Sequence, residues 1–290
     1  MTYEEETPSN LDQVAKCLSV ATAEIENKNR TYTGLDDLDN AIGGFRPGQL
    51  IVIGSRPGVG KSALALNIAA HVASKNQSVV AFFSLEMTST EIGRRLISLS
   101  SGLSLKSLDE GKLEAQDWAV VSETIEKLSG AQLYIDTTAN LMAVDILREC
   151  ETLRVNKGHI ELVLVDYLQL VRGIINSREI SRAHEIAEVM RDMKTIAKML
   201  GCPVAVLSQI NRNVESRSNK RPLISDLRCS ESIEADADLI LFLYRDELYF
   251  NETSDKGVAE LIIAKNRMSV LGTVKVGFNS KEMRFENLKK

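Results

Sequence analysis

Apolar residues along this chain cluster into short uninterrupted runs that alternate with stretches at helical spacing. The predicted strands are Leu50–Ile53, Val79–Phe83, Leu133–Ile135, Leu162–Val165, Val204–Leu207 and Leu239–Tyr244. The predicted helices lie near 61–74, 88–100, 114–129, 141–155 and 179–200. Because the strand runs are continuous rather than alternating and helices lie between them, the pattern predicts an α/β fold. In this fold a central, mostly parallel sheet is flanked by helices on both faces.

The pattern changes after Tyr244. Two further apolar runs, Leu261–Ala264 and Thr273–Val276, follow without intervening helices. Parallel neighbours need a long crossover connection, whereas antiparallel neighbours do not. The sheet is therefore predicted to finish with antiparallel C-terminal strands.

The first thirty residues form a separate pattern. Between residues 9 and 28, five apolar residues recur at helical spacing and make one narrow stripe: Leu11, Val14, Leu18, Ala21 and Ile25. A polar segment, Asn27–Gly34, follows and is typical of a linker. We therefore expect an N-terminal helical segment at 1–30 and one larger domain at 31–290. The stripe could pack on its own domain or on a neighbouring subunit.

Composition excludes several classes of protein. Hydrophobic residues make up 44% and charged residues 26%, as in ordinary globular proteins. The longest apolar run has six residues (Leu239–Tyr244), far below the roughly 20 that span a bilayer. The acidic N-terminus lacks the features of a signal peptide, and the four cysteines have no zinc-site or disulfide-scaffold spacing. We expect a reduced, cytoplasmic protein with no membrane partner.

The net charge of −5 argues against a generally basic nucleic-acid binder, but one segment is locally basic. Residues 208–230 carry five basic residues against two acidic ones: Arg212, Arg217, Lys220, Arg221 and Arg228 against Glu215 and Asp226. The segment contains no aromatic residue on which a base could stack. Any nucleic-acid binding by this segment would therefore use phosphates and be sequence-independent and salt-sensitive.

A glycine-rich segment between the first predicted strand and helix has the spacing of a phosphate loop. The consensus is Gly, four residues, then Gly-Lys-Ser/Thr, and here the first position is serine. Two glycines let backbone N–H groups turn toward a phosphate, and the helix start adds a positive dipole. The predicted nucleotide-binding residues are Ser55, Arg56, Pro57, Gly58, Val59, Gly60, Lys61 and Ser62. Lys61 would reach the β- and γ-phosphates of ATP, and Ser62 would ligate Mg²⁺.

Three polar residues follow later predicted strands, at the sheet edge where such folds bind ligands. Asp166 is the candidate second ligand of Mg²⁺. Glu86 is the candidate base for the attacking water, or else an acid that only complements a helix N-terminus. Gln209 is a candidate sensor of the γ-phosphate, or else an ordinary loop residue.

Together these elements resemble the helicase domain of DnaB-type replicative hexameric helicases, a branch of the RecA-like P-loop ATPases. The resemblance runs from about Asn10 to Leu288. The matching motifs are Thr33–Asp39, Arg56-Pro57, Ser84–Met87, Val165–Gln169, Ser208–Arg212, Lys220-Arg221-Pro222, Ser225–Arg228, Ile233–Asp238 and Lys265-Asn266-Arg267.

The resemblance implies a homohexameric ring that encircles single-stranded DNA and uses ATP and Mg²⁺ to translocate 5′→3′. Lys265 and Arg267 would reach the neighbouring subunit's ATP as sensor and arginine finger, and Gln209 would link the γ-phosphate to a DNA-side loop. Residues 1–30 match the family's linker helix, which favours docking of the stripe on the adjacent subunit. A helicase loader and primase are further implied partners. Primase is the less supported, because the family usually has a helical domain before the linker and this chain starts at the linker.

One loop departs from the family pattern. Where the family commonly has Arg-Glu-Ser-Gly, this chain has Arg228-Cys229-Ser230-Glu231. The expected DNA-contacting residues are Arg228, Ser230, Glu231, Arg212 and Arg217. Glu231 would either repel a phosphate or turn away and pair with Arg228, and we favour weaker DNA binding.

Two other functions are compatible with a P-loop ATPase of this kind. One is a RecA-like ATPase acting in recombination, and the other is a ring or interaction module that does not unwind DNA. The N-terminal helix and Ser84–Met87 favour the helicase.

Overall fold

The computed structural model describes residues 14, 18, 19, 22, 30–75, 78–172, 182–268 and 270–288. The chain separates into two compact units, Met1–Arg30 and Thr31–Lys290. In the first unit, Val14, Leu18, Ser19 and Thr22 are helical. The other three residues of the predicted apolar stripe lie outside the described residues, and the role of this segment as a linker helix stays a prediction.

The second unit is built on a nine-stranded sheet with the order β3-β2-β4-β5-β1-β6-β7-β8-β9. Its strands are β1 Leu50–Ser55, β2 Val79–Ser84, β3 Leu133–Asp136, β4 Ile160–Asp166, β5 Val204–Gln209, β6 Leu239–Tyr244, β7 Val258–Asn266, β8 Gly272–Asn279 and β9 Arg284–Glu286. Strands β1 to β6 pair in parallel, and β6 to β9 pair antiparallel. The predicted parallel sheet and its antiparallel end are confirmed.

Helices cover both faces of the sheet. They are α1 Asp36–Ile42, α2 Lys61–Ala73, α3 Ser89–Ser101, α4 Leu105–Glu110, α5 Ala115–Gly130, α6 Ala143–Lys157, α7 Arg182–Leu200 and α8 Ser230–Asp236. Alternate residues of β1 enter different cores. Ile51 and Ile53 pack with α1, α2 and α3, whereas Leu50 and Val52 pack with α6, α7 and α8. Burial on both faces explains why the strand runs are continuously apolar.

The sequence pattern missed only short elements. Helices α1, α4 and α8 have six or seven residues each, and β9 has three. Such lengths cover two helical turns or fewer, so no amphipathic period can be read from them. Among the described residues, no helix is long and apolar enough to cross a membrane.

Candidate active site

The candidate catalytic residues lie side by side because four neighbouring parallel strands end at the same edge of the sheet. The order β2-β4-β5-β1 brings together the segment after β2, the end of β4, the end of β5 and the phosphate loop after β1. Ser84 is opposite Asp166 in the register, and Ser55 is opposite Gln209. This edge is where open α/β sheets bind ligands.

The phosphate loop, residues 55–62, is supported from inside the domain. Gly58 and Gly60 have positive φ angles of 79° and 115°, which most other residues avoid. A Cβ on Gly60 would lie 3.4 Å from the ring of Phe285, so the C-terminal strands pack directly beneath the loop. Arg245 is buried there and donates a hydrogen bond to the Val59 carbonyl oxygen at 3.3 Å. The loop therefore has a fixed backbone at the start of α2.

Lys61, the first residue of α2, forms a buried ion pair with Asp166. The lysine Nζ lies 3.7 Å from Oδ1 of Asp166 and 4.9 Å from the ring centre of Tyr167. Burial lowers the pKa of Lys61, and the carboxylates of Asp166 and Glu86 oppose that shift. The ammonium group is thus held beside negative charge in a partly desolvated position, where its interaction with a phosphate would be strong.

Asp166 has the environment expected of a metal ligand. It is fully buried, and neither carboxylate oxygen has a hydrogen-bond donor among the described residues. A buried carboxylate that accepts no hydrogen bond is costly, so such a group usually has a further ligand. A carboxylate with a hydroxyl, Ser62, supplies the hard oxygen donors that Mg²⁺ prefers, together with nucleotide phosphates. Within the described part of the chain, no cluster of three His, Cys, Asp or Glu side chains could hold a metal without phosphates. The residues present therefore fit a phosphate-bound Mg²⁺.

Glu86 is exposed and lies in a tight turn between β2 and α3. The turn is fixed on both sides of it, because Leu85 N donates to the Asp166 carbonyl oxygen at 2.7 Å and Met87 N donates to Ser84 Oγ at 3.2 Å. Helix α3 begins only at Ser89, and Thr88 and Glu91 form its capping box. The helix N-terminus already has its own acid, Glu91. Capping of α3 therefore does not depend on Glu86, and the role of Glu86 as a base stays a prediction.

Gln209 lies at the end of β5, and the segment after β4 positions it. Gln169 accepts a hydrogen bond from Gln209 N at 3.4 Å and donates one to Ser208 Oγ at 2.9 Å. Burial raises the pKa of Tyr167, and the Glu86 and Asp166 carboxylates add to the shift. Tyr167 also lies against Lys61, with its ring centre 4.9 Å from the lysine Nζ, a contact that its position directly after Asp166 did not reveal.

A cavity of about 310 Å³ lies over these groups. It is lined by Arg56, Pro57, Gly58, Gly60, Lys61, Ser62, Ala63, Glu86, Met87, Glu91, Arg95, Gln209 and Met283. Arg95 was missed, although Glu91 and Arg95 are four residues apart on α3 and therefore share one helix face. Nothing in the sequence around Met283 predicts that it lines the cavity. The fold brings it there, and Asn67 donates a hydrogen bond to its carbonyl oxygen across 216 positions of sequence. Of the predicted nucleotide-binding residues, Ser55 and Val59 are buried beneath this surface.

The basic segment divides into paired and exposed residues. Residues 210–227, which we call the β5 loop, are closed by a bridge between Ile210 and Leu227. Within the loop, Arg217 binds both carboxylate oxygens of Asp226 at 2.9 and 2.7 Å. Arg221 binds both oxygens of the buried Glu260 at 2.7 and 2.6 Å. These two guanidinium groups hold the loop in place, which leaves Arg217 poorly disposed to bind DNA.

Arg212 and Arg228 are exposed, and neither forms an ion pair with a described residue. Glu231 is also exposed and lies in the first turn of α8, where a carboxylate complements the helix dipole. Ser230 begins the same helix, directly after Cys229, which has a φ angle of 62°. No ion pair joins Glu231 to Arg228 among the described residues. Arg212, Arg228 and Glu231 are thus exposed and have no ion-pair partner within the described part of the chain.

Lys265 and Arg267 lie at the opposite edge of the sheet. Arg267 binds Asp238 Oδ1 at 3.1 Å, and the other Asp238 oxygen accepts from Leu50 N at 2.8 Å. Lys265 donates to the Glu234 carbonyl oxygen, and burial lowers its pKa. Leu50 begins β1, whereas the phosphate loop follows the other end of this six-residue strand, roughly 17 Å away. The structure therefore does not bring Lys265 and Arg267 to the phosphate loop of their own chain.

Residues 31–287 match the family model of the DnaB-like helicase C terminal domain. The chain is 41% identical over 258 residues to the replicative DNA helicase DnaB of Geobacillus stearothermophilus, a match that covers 89% of this chain and 56% of that protein. It is also 41% identical to the replicative DNA helicase DnaB of Buchnera aphidicola subsp. Baizongia pistaciae, with 97% of this chain and 61% of that protein covered. The chain thus spans little more than half the length of these relatives.

Two solved structures are similar in fold. One is a DnaB-like replicative helicase described with its interactions with primase, with a TM-score of 0.87 and 32% identity over 99% of this chain and 69% of that one. The other is an ATPase domain, with a TM-score of 0.89 and 32% identity over 95% of this chain and 99% of that one. The central sheet with antiparallel C-terminal strands is therefore the RecA-like arrangement expected from the sequence.

Proposed function

The chain belongs to the DnaB-like helicase C-terminal domain family, and on that premise we propose that it is the ATPase motor of a replicative DNA helicase. It would hydrolyse ATP, move 5′→3′ along single-stranded DNA and separate duplex DNA as a homohexamer. One observation carries the proposal. The buried carboxylate of Asp166 lies beside Lys61, the first residue of α2, and has no hydrogen-bond donor among the described residues. The recombination ATPase and the non-unwinding module have no comparable support from the relatives.

In this proposal the phosphate loop binds the nucleotide. The backbone N–H groups of residues 58–62 and the α2 dipole hold the phosphates, and Lys61 neutralises charge that develops on the transferred phosphoryl group. Ser62 and Asp166 would hold Mg²⁺, which, when bound, withdraws charge from the phosphate oxygens. Asp166 already interacts with Lys61, so one carboxylate would organise both the cation and the lysine.

Glu86 acts on the attacking water in the same proposal. Its turn is fixed by hydrogen bonds at Leu85 and Met87, while its own side chain is exposed toward the cavity. A carboxylate held in this way can accept a proton from a water molecule. Gln209, whose backbone N–H donates to Gln169, would respond to the γ-phosphate.

In this proposal, residues of a neighbouring subunit complete the active site. Lys265 and Arg267 lie at the edge opposite their own phosphate loop, so they can contribute only to the site of a neighbouring copy. Arg228 and Arg212, which are exposed and unpaired with described residues, would bind DNA phosphates. Arg217 would support the loop rather than contact DNA.

The remaining partners belong to the same proposal. A helicase loader and primase are included, since a similar DnaB-like helicase is described with its interactions with primase. A cytoplasmic location is included as well. Cys150 and Cys202 are unpaired and buried, as expected in a reducing compartment.

A strand-displacement assay on a forked duplex tests the function. The unmodified protein should release the displaced strand only with ATP and Mg²⁺, and Lys61→Ala should abolish release. Glu86→Gln should bind ATP but hydrolyse it roughly 10²–10⁴-fold more slowly. Glu126→Gln, which alters an exposed acid on α5, serves as the charge-matched control. ATP hydrolysis without strand release at any fork would instead indicate the non-unwinding module.

A further inference from the structure

Arg56 connects the phosphate loop to the β5 loop. Its Nε donates to Glu215 Oε1 at 2.7 Å, and its Nη1 donates to the Ile210 carbonyl oxygen at 3.0 Å. The Arg56 side chain is only 15% exposed, so the contact is more than a loose surface pair. A planar guanidinium group held by two hydrogen bonds keeps a fixed orientation, unlike a charge on a flexible side chain. A movement at one end of the contact would therefore displace the other end.

The Arg56 backbone belongs to the nucleotide-binding turn. Val59 N donates to the Arg56 carbonyl oxygen at 3.4 Å, and Ser55 Oγ donates to the same oxygen at 2.9 Å. Arg56 also lines the cavity over Lys61. A shift of this turn when phosphates bind would therefore move the guanidinium group.

On the Glu215 side of the Arg56–Glu215 ion pair, hydrogen bonds within the β5 loop hold the loop together as one unit. Asn211 N donates to the Asp226 carbonyl oxygen at 2.7 Å, and Arg217 binds the Asp226 carboxylate. Lys220 Nζ donates to the Glu215 carbonyl oxygen at 2.6 Å. Glu215 shares the 3₁₀ turn Arg212–Ser216 with the exposed Arg212, and Val214 anchors that turn in the core. A displacement of Glu215 would therefore be carried to Arg212.

We propose that Glu215 is a positioning residue that couples the phosphate loop to the DNA-facing surface of the β5 loop through Arg56. This inference rests on the proposed function. It adds a second connection to the one through Gln209. The Gln209 connection begins at the end of a strand, whereas this one begins in the phosphate loop itself.

The test compares ATP hydrolysis by the full chain without DNA and with saturating oligo-dT. Glu215→Ala should keep the rate without DNA and lower the stimulation by DNA about fivefold or more, a typical size for coupling between two sites. Glu215→Gln should lose less, because its amide oxygen can still accept from Arg56 Nε. Glu252→Ala, which removes an exposed glutamate elsewhere, should behave like the parent.

A double substitution checks that the effect passes through Arg56. The ratio of stimulated to unstimulated rate should be no lower in Arg56→Ala/Glu215→Ala than in the more impaired single variant. Normal stimulation in Glu215→Ala would overturn the inference. So would an equal loss of DNA affinity without nucleotide, since Glu215 would then act only on the shape of the loop. Failure of DNA to stimulate the parent would instead contradict the proposed function.

Discussion

At the scale of single residues, Asp166 combines complete burial with a side chain that accepts no hydrogen bond from a described residue. Its carboxylate has one cationic neighbour at 3.7 Å and no hydrogen-bond donor among the described residues. A side chain in this position gains from a ligand that brings positive charge. The same isolation that is costly without a ligand would favour binding of Mg²⁺ with a nucleotide.

Asp166→Asn should therefore remove the Mg²⁺-dependent part of nucleotide stabilisation. At a ligand concentration 100 times its Kd, the parent should gain about 2.7 kcal/mol. Thermal unfolding with a non-hydrolysable ATP analogue, with Mg²⁺ or with EDTA, measures this gain. Asp192→Asn is the matched control, because Asp192 also has an unpartnered buried oxygen but lies on α7, away from the cavity. An Mg²⁺-dependent gain of parent size in Asp166→Asn would contradict its role as a ligand.

At the scale of elements, the β5 loop contains arginines of similar sequence context and different structural roles. Arg217 pairs with Asp226, whose side chain is 7% exposed, whereas Arg212 has no such partner among the described residues. Removing one partner of a buried ion pair leaves an uncompensated charge. Removing a solvent-exposed arginine does not.

Arg217→Ala should lower the free energy of unfolding by about 2 kcal/mol, less than for a fully buried pair because Arg217 is partly exposed. Arg212→Ala should leave stability unchanged but weaken binding to single-stranded DNA and reduce its salt dependence. Urea unfolding and fluorescence anisotropy with labelled oligo-dT separate the two effects. Equal stability of the two variants would show that Arg217 does not brace the loop.

The start of α8 carries a second element-scale prediction. Glu231 is exposed and unpaired with Arg228, so its charge would oppose a nearby phosphate by about 1 kcal/mol at 4 Å in water. Glu231→Gly should tighten DNA binding severalfold, at a cost of up to about 1 kcal/mol in helix stability. Glu231→Gln separates charge from bulk. Anisotropy across a salt series gives the answer, and unchanged affinity in both variants would place Glu231 away from the DNA.

At the scale of the whole molecule, the sheet keeps two groups of candidate residues apart. Lys61 follows the carboxyl end of β1, and Arg267 lies near its amino end, where Asp238 holds it. A single chain therefore contains both groups but does not combine them. Only an assembly of copies would place Arg267 beside a nucleotide.

Mixing Lys61→Ala with Arg267→Ala subunits should thus restore part of the ATPase activity that each lacks alone. Some interfaces in a mixed ring contain an intact phosphate loop and an intact Arg267, and such a finger is worth roughly 10³–10⁵ in rate. Hydrolysis is measured after mixing at several ratios, with mixed assemblies verified by mass. Rings of mixed composition without recovered activity would rule out a shared site.

Much of the fold was predictable because its signals are local. The apolar runs fixed the strands, since a strand buried on both faces must be continuously apolar, as in β1 and β6. The phosphate loop, Asp166 and Glu86 were also identifiable, because each lies within a few residues of the end of such a run. Short elements such as α4 and β9 were not, as they contain too few residues to show a period.

By itself, the sequence determined the α/β order, the phosphate loop, the strand end at Asp166 and the turn that carries Glu86. Only the tertiary structure decided which charged side chains are held in ion pairs within the chain and which are exposed to a ligand. Arg56 and Arg217 are both basic residues in polar segments, but their partners are 159 and 9 positions away. Arg221 finds Glu260 across 39 positions. Pairing over such separations depends on where the folded backbone places each carboxylate, and no local pattern contains that information.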